Sequence, residues 1–184
     1  MNWGMKGWGR RLWAVLLVAA VVAFFGKGVS EASEALPAPQ GEVILTVSGL
    51  IGRGNGKDAA GRPQASFDRA MLEAIGTTEI VTMTPWFPDV MRFEGVLLRD
   101  LLDKVAAQGS SLHAVAHNDY AADIPVEDAR RFDVILAMKA NGRTLTLRDK
   151  GPLFIVYPFS SDKALRSDVM YYRSVWQLRS LEVR

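Results

Sequence analysis

The chain has 184 residues, of which 49% are hydrophobic and 23% charged, with no cysteine and a formal net charge of +2. That is room for one domain with a real core, and it excludes disulfides, thiolate metal sites, cysteine nucleophiles and iron–sulfur clusters. The excess positive charge sits in the first 35 positions, so the remainder is balanced at 18 basic and 18 acidic residues; no nucleic-acid partner is expected of it.

Lys6, Arg10 and Arg11 precede an apolar run of 14 residues, Leu12 to Phe25. A full membrane span needs roughly 20. Ser30-Glu31-Ala32 and Ser33-Glu34-Ala35 both place small residues where a signal peptidase reads them. Residues 1–35 therefore read as a secretory signal peptide, the alternative being an uncleaved membrane anchor. Either way the domain is expected in the periplasm. Arg10-Arg11 fits a twin-arginine signal poorly, given Gly9 and Trp13.

Residues 36–41, Leu-Pro-Ala-Pro-Gln-Gly, read as a linker, and residues 42–184 as the domain. Val43, Leu45 and Val47 alternate with polar positions as a strand. The Gly52–Lys57 loop resembles a phosphate loop but lacks the Gly-Lys-Ser/Thr ending, so no nucleotide is expected. Ser66 is placed as the cap of a short helix carrying Phe67, Met71, Leu72 and Ile75. Thr78 to Thr84 is rich in β-formers. Val96 to Val105 has helical spacing, with Leu97, Leu98, Leu101 and Leu102 on its apolar face. Leu112 to Ala116, Ala121 to Ile124, Val134 to Met138 and Leu153 to Tyr157 read as strands. Asn141-Gly142 supplies a hairpin turn into Thr144–Leu147, and Ser174 to Val183 is the last strand. The fold class is α+β with a mixed sheet.

His113 and His117 are spaced for one metal ion on a helix. In a strand that spacing spans about 13 Å, which separates them too far to share zinc. Asn118-Asp119-Tyr120 offers hydrogen-bonding groups to a ligand, or simply a bend between strands. Arg148 and Lys150, flanking Asp149, are candidates to hold an anion, or are solvated loop charges. Trp86, between Pro85 and Phe87, is placed to stack on a planar ligand or to serve the core. Neither histidine sits in a motif that supports a Ser-His-Asp arrangement.

Several motifs follow one another in a telling order: Leu45-Thr46-Val47-Ser48-Gly49-Leu50, Phe93-Glu94-Gly95-Val96-Leu97-Leu98-Arg99-Asp100-Leu101-Leu102, Asn118-Asp119-Tyr120 with Ile124-Pro125, Val134-Ile135-Leu136-Ala137 with Asn141-Gly142, Gly151-Pro152-Leu153, and Val175 with Leu181-Glu182-Val183. In this order the chain from Val43 to Val183 resembles the molybdopterin-binding domain of the sulfite-oxidase type of oxidoreductase. The resemblance implies that fold and a cleft for the cofactor. Members bind molybdenum through a cysteine shortly before the Gly-Val-x-Leu segment, and that place falls here at Thr82 or Met83. Asp149, Phe154 and Trp176 stand where many members carry a histidine, a basic residue and a lysine.

The expectation is an exported domain of this fold without ordinary molybdenum catalysis and with no cofactor. It would bind a small ligand in the old cleft, or a membrane or envelope partner protein. Trp86, Asn118, Asp119, Tyr120, Arg148 and Lys150 are the candidate ligand residues. The rival expectation is a molybdopterin-dependent oxidoreductase with atypical metal ligation. A purely structural envelope subunit is the third class.

Overall fold

Leu45 and Val47 are fully buried, while their neighbours Ile44, Thr46 and Ser48 are partly exposed. This alternation makes β1 (Val43–Gly49) a half-buried strand, as its sequence indicates. The computed structural model describes residues 35–184; the proposed leader lies outside them. The elements after β1 are β2 (Gly56–Lys57), β3 (Pro63–Asp68), α1 (Arg69–Glu73), β4 (Thr78–Thr84), β5 (Phe87–Leu97), α2 (Leu98–Lys104), β6 (Ser111–Ala116), β7 (Ala121–Pro125), α3 (Val126–Arg131), β8 (Ile135–Ala140), β9 (Arg143–Thr144), β10 (Phe154–Val156), α4 (Asp168–Arg173) and β11 (Leu178–Val183).

Two sheets form. The first runs β2-β3-β1-β11-β6-β7, with β1 and β11 parallel and its other pairs antiparallel. The second runs β10-β8-β5-β4, with β9 paired to β8. The fold is therefore α+β, with one mixed sheet and one antiparallel sheet. One core is built from Leu45, Phe67, Leu112, Leu181 and the α2 leucines Leu98, Leu101 and Leu102. A second cluster gathers Phe93, Ile135, Ala137, Phe154 and Val156. β8 serves both: Leu136 and Met138 face the first core, Ile135 and Ala137 the second. Burial on both faces is why that strand reads as a continuous apolar run.

The Phe-Glu-Gly-Val-Leu-Leu motif has a steric basis. β5 bulges between Glu94 and Gly95 where it pairs with β8. A Cβ on Gly95 would collide with the Leu136 carbonyl. Only glycine lets the two backbones approach this closely.

Several sequence expectations need correcting. Ser66 lies inside β3, and the cap of α1 is Asp68, whose carboxylate accepts the Met71 N–H at 2.8 Å. Val96 and Leu97 belong to β5, so Leu97 is only partly buried and packs on the second cluster instead of the α2 core. Thr144 to Leu147 does not continue as a strand: β9 ends at Thr144 and a 3-10 turn covers Leu147–Asp149. The last strand starts at Leu178, so Ser174 to Gln177 form a connecting segment. Residues 36–41 have no regular structure but are tied down. Leu36 is buried and donates to the Gly54 carbonyl, and the Gln40 and Gly41 N–H groups both donate to Asp68.

Candidate ligand-binding cleft

Pro85 and Trp86 form the two-residue tip that joins β4 to β5. The Trp86 indole folds inward and meets four rings edge-on or steeply inclined. Its centroid lies 5.3 Å from Phe154, 6.2 Å from Phe159, 6.0 Å from Tyr171 and 5.6 Å from Trp176. Such T-shaped contacts suit the aromatic quadrupole and are rigid. Trp86 packs against both hydrophobic clusters, so it is at once a core residue and a wall.

The Asn118–Tyr120 segment turns β6 into β7. Asp119 takes a left-handed conformation, φ 63°, which aspartate tolerates. Asn118 Oδ1 accepts the Tyr120 N–H at 3.2 Å. Two reciprocal bonds tie this turn to α4: Tyr120 Oη donates to the Tyr172 carbonyl at 2.8 Å, and Tyr172 Oη to the Ala121 carbonyl at 3.0 Å. Burial, then the neighbouring Tyr172, raise the pKa of the Tyr120 phenol above its ordinary value.

These pieces enclose a cavity of about 190 Å³ lined by Trp86, Asn118, Tyr120, Tyr171, Ser174 and Trp176. Its walls are mostly aromatic. Neither indole N–H donates a hydrogen bond among the described residues, nor do the Asn118 amide or the Tyr171 hydroxyl. Ser174 Oγ donates to the Met170 carbonyl at 2.9 Å. No carboxylate lines the cavity.

Of the six residues proposed from sequence, three line this cavity: Trp86, Asn118 and Tyr120. Asp119 points away and pairs with Arg179 at 2.8 Å. Arg148 lies exposed on the 3-10 turn, outside the cavity lining. Lys150 is not part of the lining but contacts one of its rings, with its Nζ 4.0 Å from the Trp176 centroid and 5.8 Å from that of Phe87. Partial burial there lowers its pKa. Tyr171, Ser174 and Trp176 are not among the six: the sequence reading places no element over α4, and it takes Ser174 onward as strand.

Of the positions that the resemblance ties to the metal and its cofactor, Trp176 alone lines this cavity, and Thr82, Met83, Asp149 and Phe154 do not. Thr82 is fully buried and its Oγ1 accepts the Ser160 N–H at 2.9 Å. Met83 is half-exposed. Asp149 accepts from Thr146 Oγ1 at 2.7 Å and faces a separate hollow. Phe154 is fully buried against Trp86. His113 Nδ1 is 2.7 Å from Asp123 Oδ1, while His117 lines a different, open groove of about 660 Å³ with Arg69 and Asp68. That larger groove shares no residue with the aromatic cleft.

A sequence-family model described as the oxidoreductase molybdopterin binding domain matches residues 67–161. No curated protein matches the chain. Among solved structures the fold is similar to that of the sulfane dehydrogenase SoxCD from Paracoccus pantotrophus, with a TM-score of 0.53 and 22% identity. The match covers 76% of this chain but only 37% of that one, so the chain spans little more than a third of that relative. At such identity the likeness is one of fold.

Proposed function

This chain belongs to the family of oxidoreductase molybdopterin binding domains, and from that premise we propose that it is an exported ligand-binding module without ordinary molybdenum catalysis. The observation that carries this reading is the donor set. The chain has no cysteine, and molybdenum in this family is expected on a soft thiolate. Thr82 offers only a hydroxyl, already engaged by Ser160. Met83 is a neutral thioether turned to solvent. The residues do not fit the cofactor at its anionic end either. Phe154 and Trp176 replace charge-assisted donors with apolar rings, and Asp149 adds a negative charge.

What remains is a small preformed cleft with rigid walls and unpaired donors, the arrangement of a binding site. The short apolar run and the two Ser-x-Ala sites support work outside the cytoplasm. The test is native mass spectrometry of the protein purified from its own envelope fraction. A small ligand, or none, on a metal-free chain agrees with the proposal. A bound molybdenum cofactor would make the domain an oxidoreductase with oxygen or nitrogen in place of the sulfur.

A further inference from the structure

Away from the cleft, one end of the domain gathers cations that have nothing to pair with. The chain enters the domain there. The Leu36 N–H donates to the Gly54 carbonyl at 3.2 Å, and Asn55 Nδ2 donates to the Pro37 carbonyl at 2.8 Å. The loop that receives this segment, Leu50 to Lys57, is held against the end of α2. The Gly52 and Arg53 N–H groups both donate to the Val105 carbonyl at 3.0 Å, the Gln108 N–H donates to the Leu50 carbonyl at 2.9 Å, and Ile51 bridges to Ala107. These bonds bring Arg53 and Lys57 to the same end as Lys104, the last residue of α2.

Arg53, Lys57 and Lys104 are all exposed, and none makes an ion pair or a side-chain hydrogen bond among the described residues. The acids of the same loop and helices are mostly taken. Asp58 pairs with Arg62 and Asp103 with Arg130, both at 2.7 Å, and Asp100 lies 4.0 Å from Arg99. Glu73 on α1 is left without a cation, so the local balance is positive. The surface between these charges is apolar. Leu50 is 55% exposed. Lys104 shares with Leu36, Pro37, Met71, Ala74 and Ile75 the lining of a mostly apolar hollow of about 310 Å³. Long cationic side chains around exposed apolar groups suit a surface that is anionic outside and apolar beneath: the charges rest among headgroups while the leucine reaches the acyl boundary. The leader, with its apolar run Leu12 to Phe25, also joins the domain at this end, through Leu36.

We propose that this end of the domain is a membrane-facing surface that docks on anionic phospholipid, with Arg53, Lys57 and Lys104 against the headgroups and Leu50 as the apolar contact. The surface is separate from the aromatic cleft and does not depend on what the cleft holds. A cation near an anionic bilayer favours binding by about fivefold, so three supply on the order of a hundredfold before Glu73 and salt reduce it.

The test mixes the protein recovered from the envelope fraction with two kinds of vesicle, phosphatidylcholine alone and phosphatidylcholine with an equal part of phosphatidylglycerol. Amide hydrogen exchange of residues 50–57 is the readout, because a retained leader would hold the chain on both vesicles alike and leave this comparison intact. Exchange there should slow on the anionic vesicles only, and the slowing should vanish in high salt. Where the leader has been removed, co-sedimentation should also show binding about tenfold or more tighter to the anionic vesicles. The triple variant Arg53→Gln, Lys57→Gln, Lys104→Gln should lose both effects. Its three positions are exposed and unpaired, so its unfolding midpoint should match that of the parent. Leu50→Ser should weaken binding severalfold and keep the preference for anionic lipid. Equal exchange on the two vesicles, a difference that persists in high salt, or a preference that survives in the triple variant would each overturn the assignment.

Discussion

Tyr157 Oη donates a 2.8 Å hydrogen bond to Asp128 Oδ2, and the same carboxylate oxygen accepts from Arg173 at 2.9 Å. Tyr157 is fully buried and Asp128 nearly so. Desolvation, together with the adjacent carboxylate, raises the pKa of the Tyr157 phenol far above its ordinary value, so it stays a donor. The three side chains join β10's exit, α3 and α4, and so hold in place the helix that supplies Tyr171 to the cleft. Tyr157→Phe should cost about 1.5–3 kcal/mol, the range for a hydrogen bond to a charged group. Asp128→Ala leaves the partly buried Arg173 unpaired and should cost more, about 3 kcal/mol or above. Urea denaturation of the two variants gives the ranking. Equal, sub-kilocalorie losses would mean that the network carries no stability.

Leu101 is fully buried in the core beneath α2. Leu101→Ala should cost about 2–5 kcal/mol through lost transfer energy and the cavity it leaves. A measured loss below about 1 kcal/mol would put that face of α2 in solvent.

Much of this fold is legible in the sequence, and the misses have physical causes. β6 and β8 are correctly read because alternation in one and a doubly buried apolar run in the other are unambiguous. Asn141-Gly142 is read as a turn, and both residues do take positive φ, 50° and 74°. Leu97 is misassigned because β5 runs directly into α2, with no polar break to mark the change of period. Ser66 looks like a cap, but Asp68 two residues later competes for the role and receives three backbone N–H groups. α3 did carry a signal: Glu127 and Asp128 in its first turn, Arg130 and Arg131 in its last. α4 was missed, and with it Tyr171 and Ser174. The cleft itself is half legible: Trp86, Asn118 and Tyr120 announce themselves beside turn signals, whereas Trp176 reaches the cleft through a connector that reads as strand.

Acid stability should depend on Asp68. Its carboxylate is held below the usual carboxylate range, first by the Met71 N–H and then by those of Gly41 and Gln40. A folded pKa below the unfolded one means that the contribution is fully present above the unfolded value, about 3.9, and is lost as pH falls through the lowered folded value. Asp68→Asn keeps an acceptor but removes the titration. Its unfolding midpoint should therefore change less between pH 5 and 2 than that of the parent chain. Parallel curves for the two proteins would show that Asp68 does not link protons to folding.

Export is expected to end in cleavage after Ala32 or Ala35, where small residues occupy the peptidase positions. Leu36 is docked in the core, so either cut leaves the domain whole. N-terminal sequencing of envelope protein should begin at Ser33 or Leu36. An intact Met1 would instead mean a membrane anchor.

The central claim is that this domain keeps the family's fold and has lost its metal. Elemental analysis of the unmutated chain, made in a host that synthesises the cofactor, tests it most directly. Thr82→Cys and Met83→Cys serve as companions, each restoring a sulfur but not the cationic groups replaced at Asp149, Phe154 and Trp176. The expected result is molybdenum far below one atom per chain in all three. Near-equimolar molybdenum in the unmutated protein would contradict the claim.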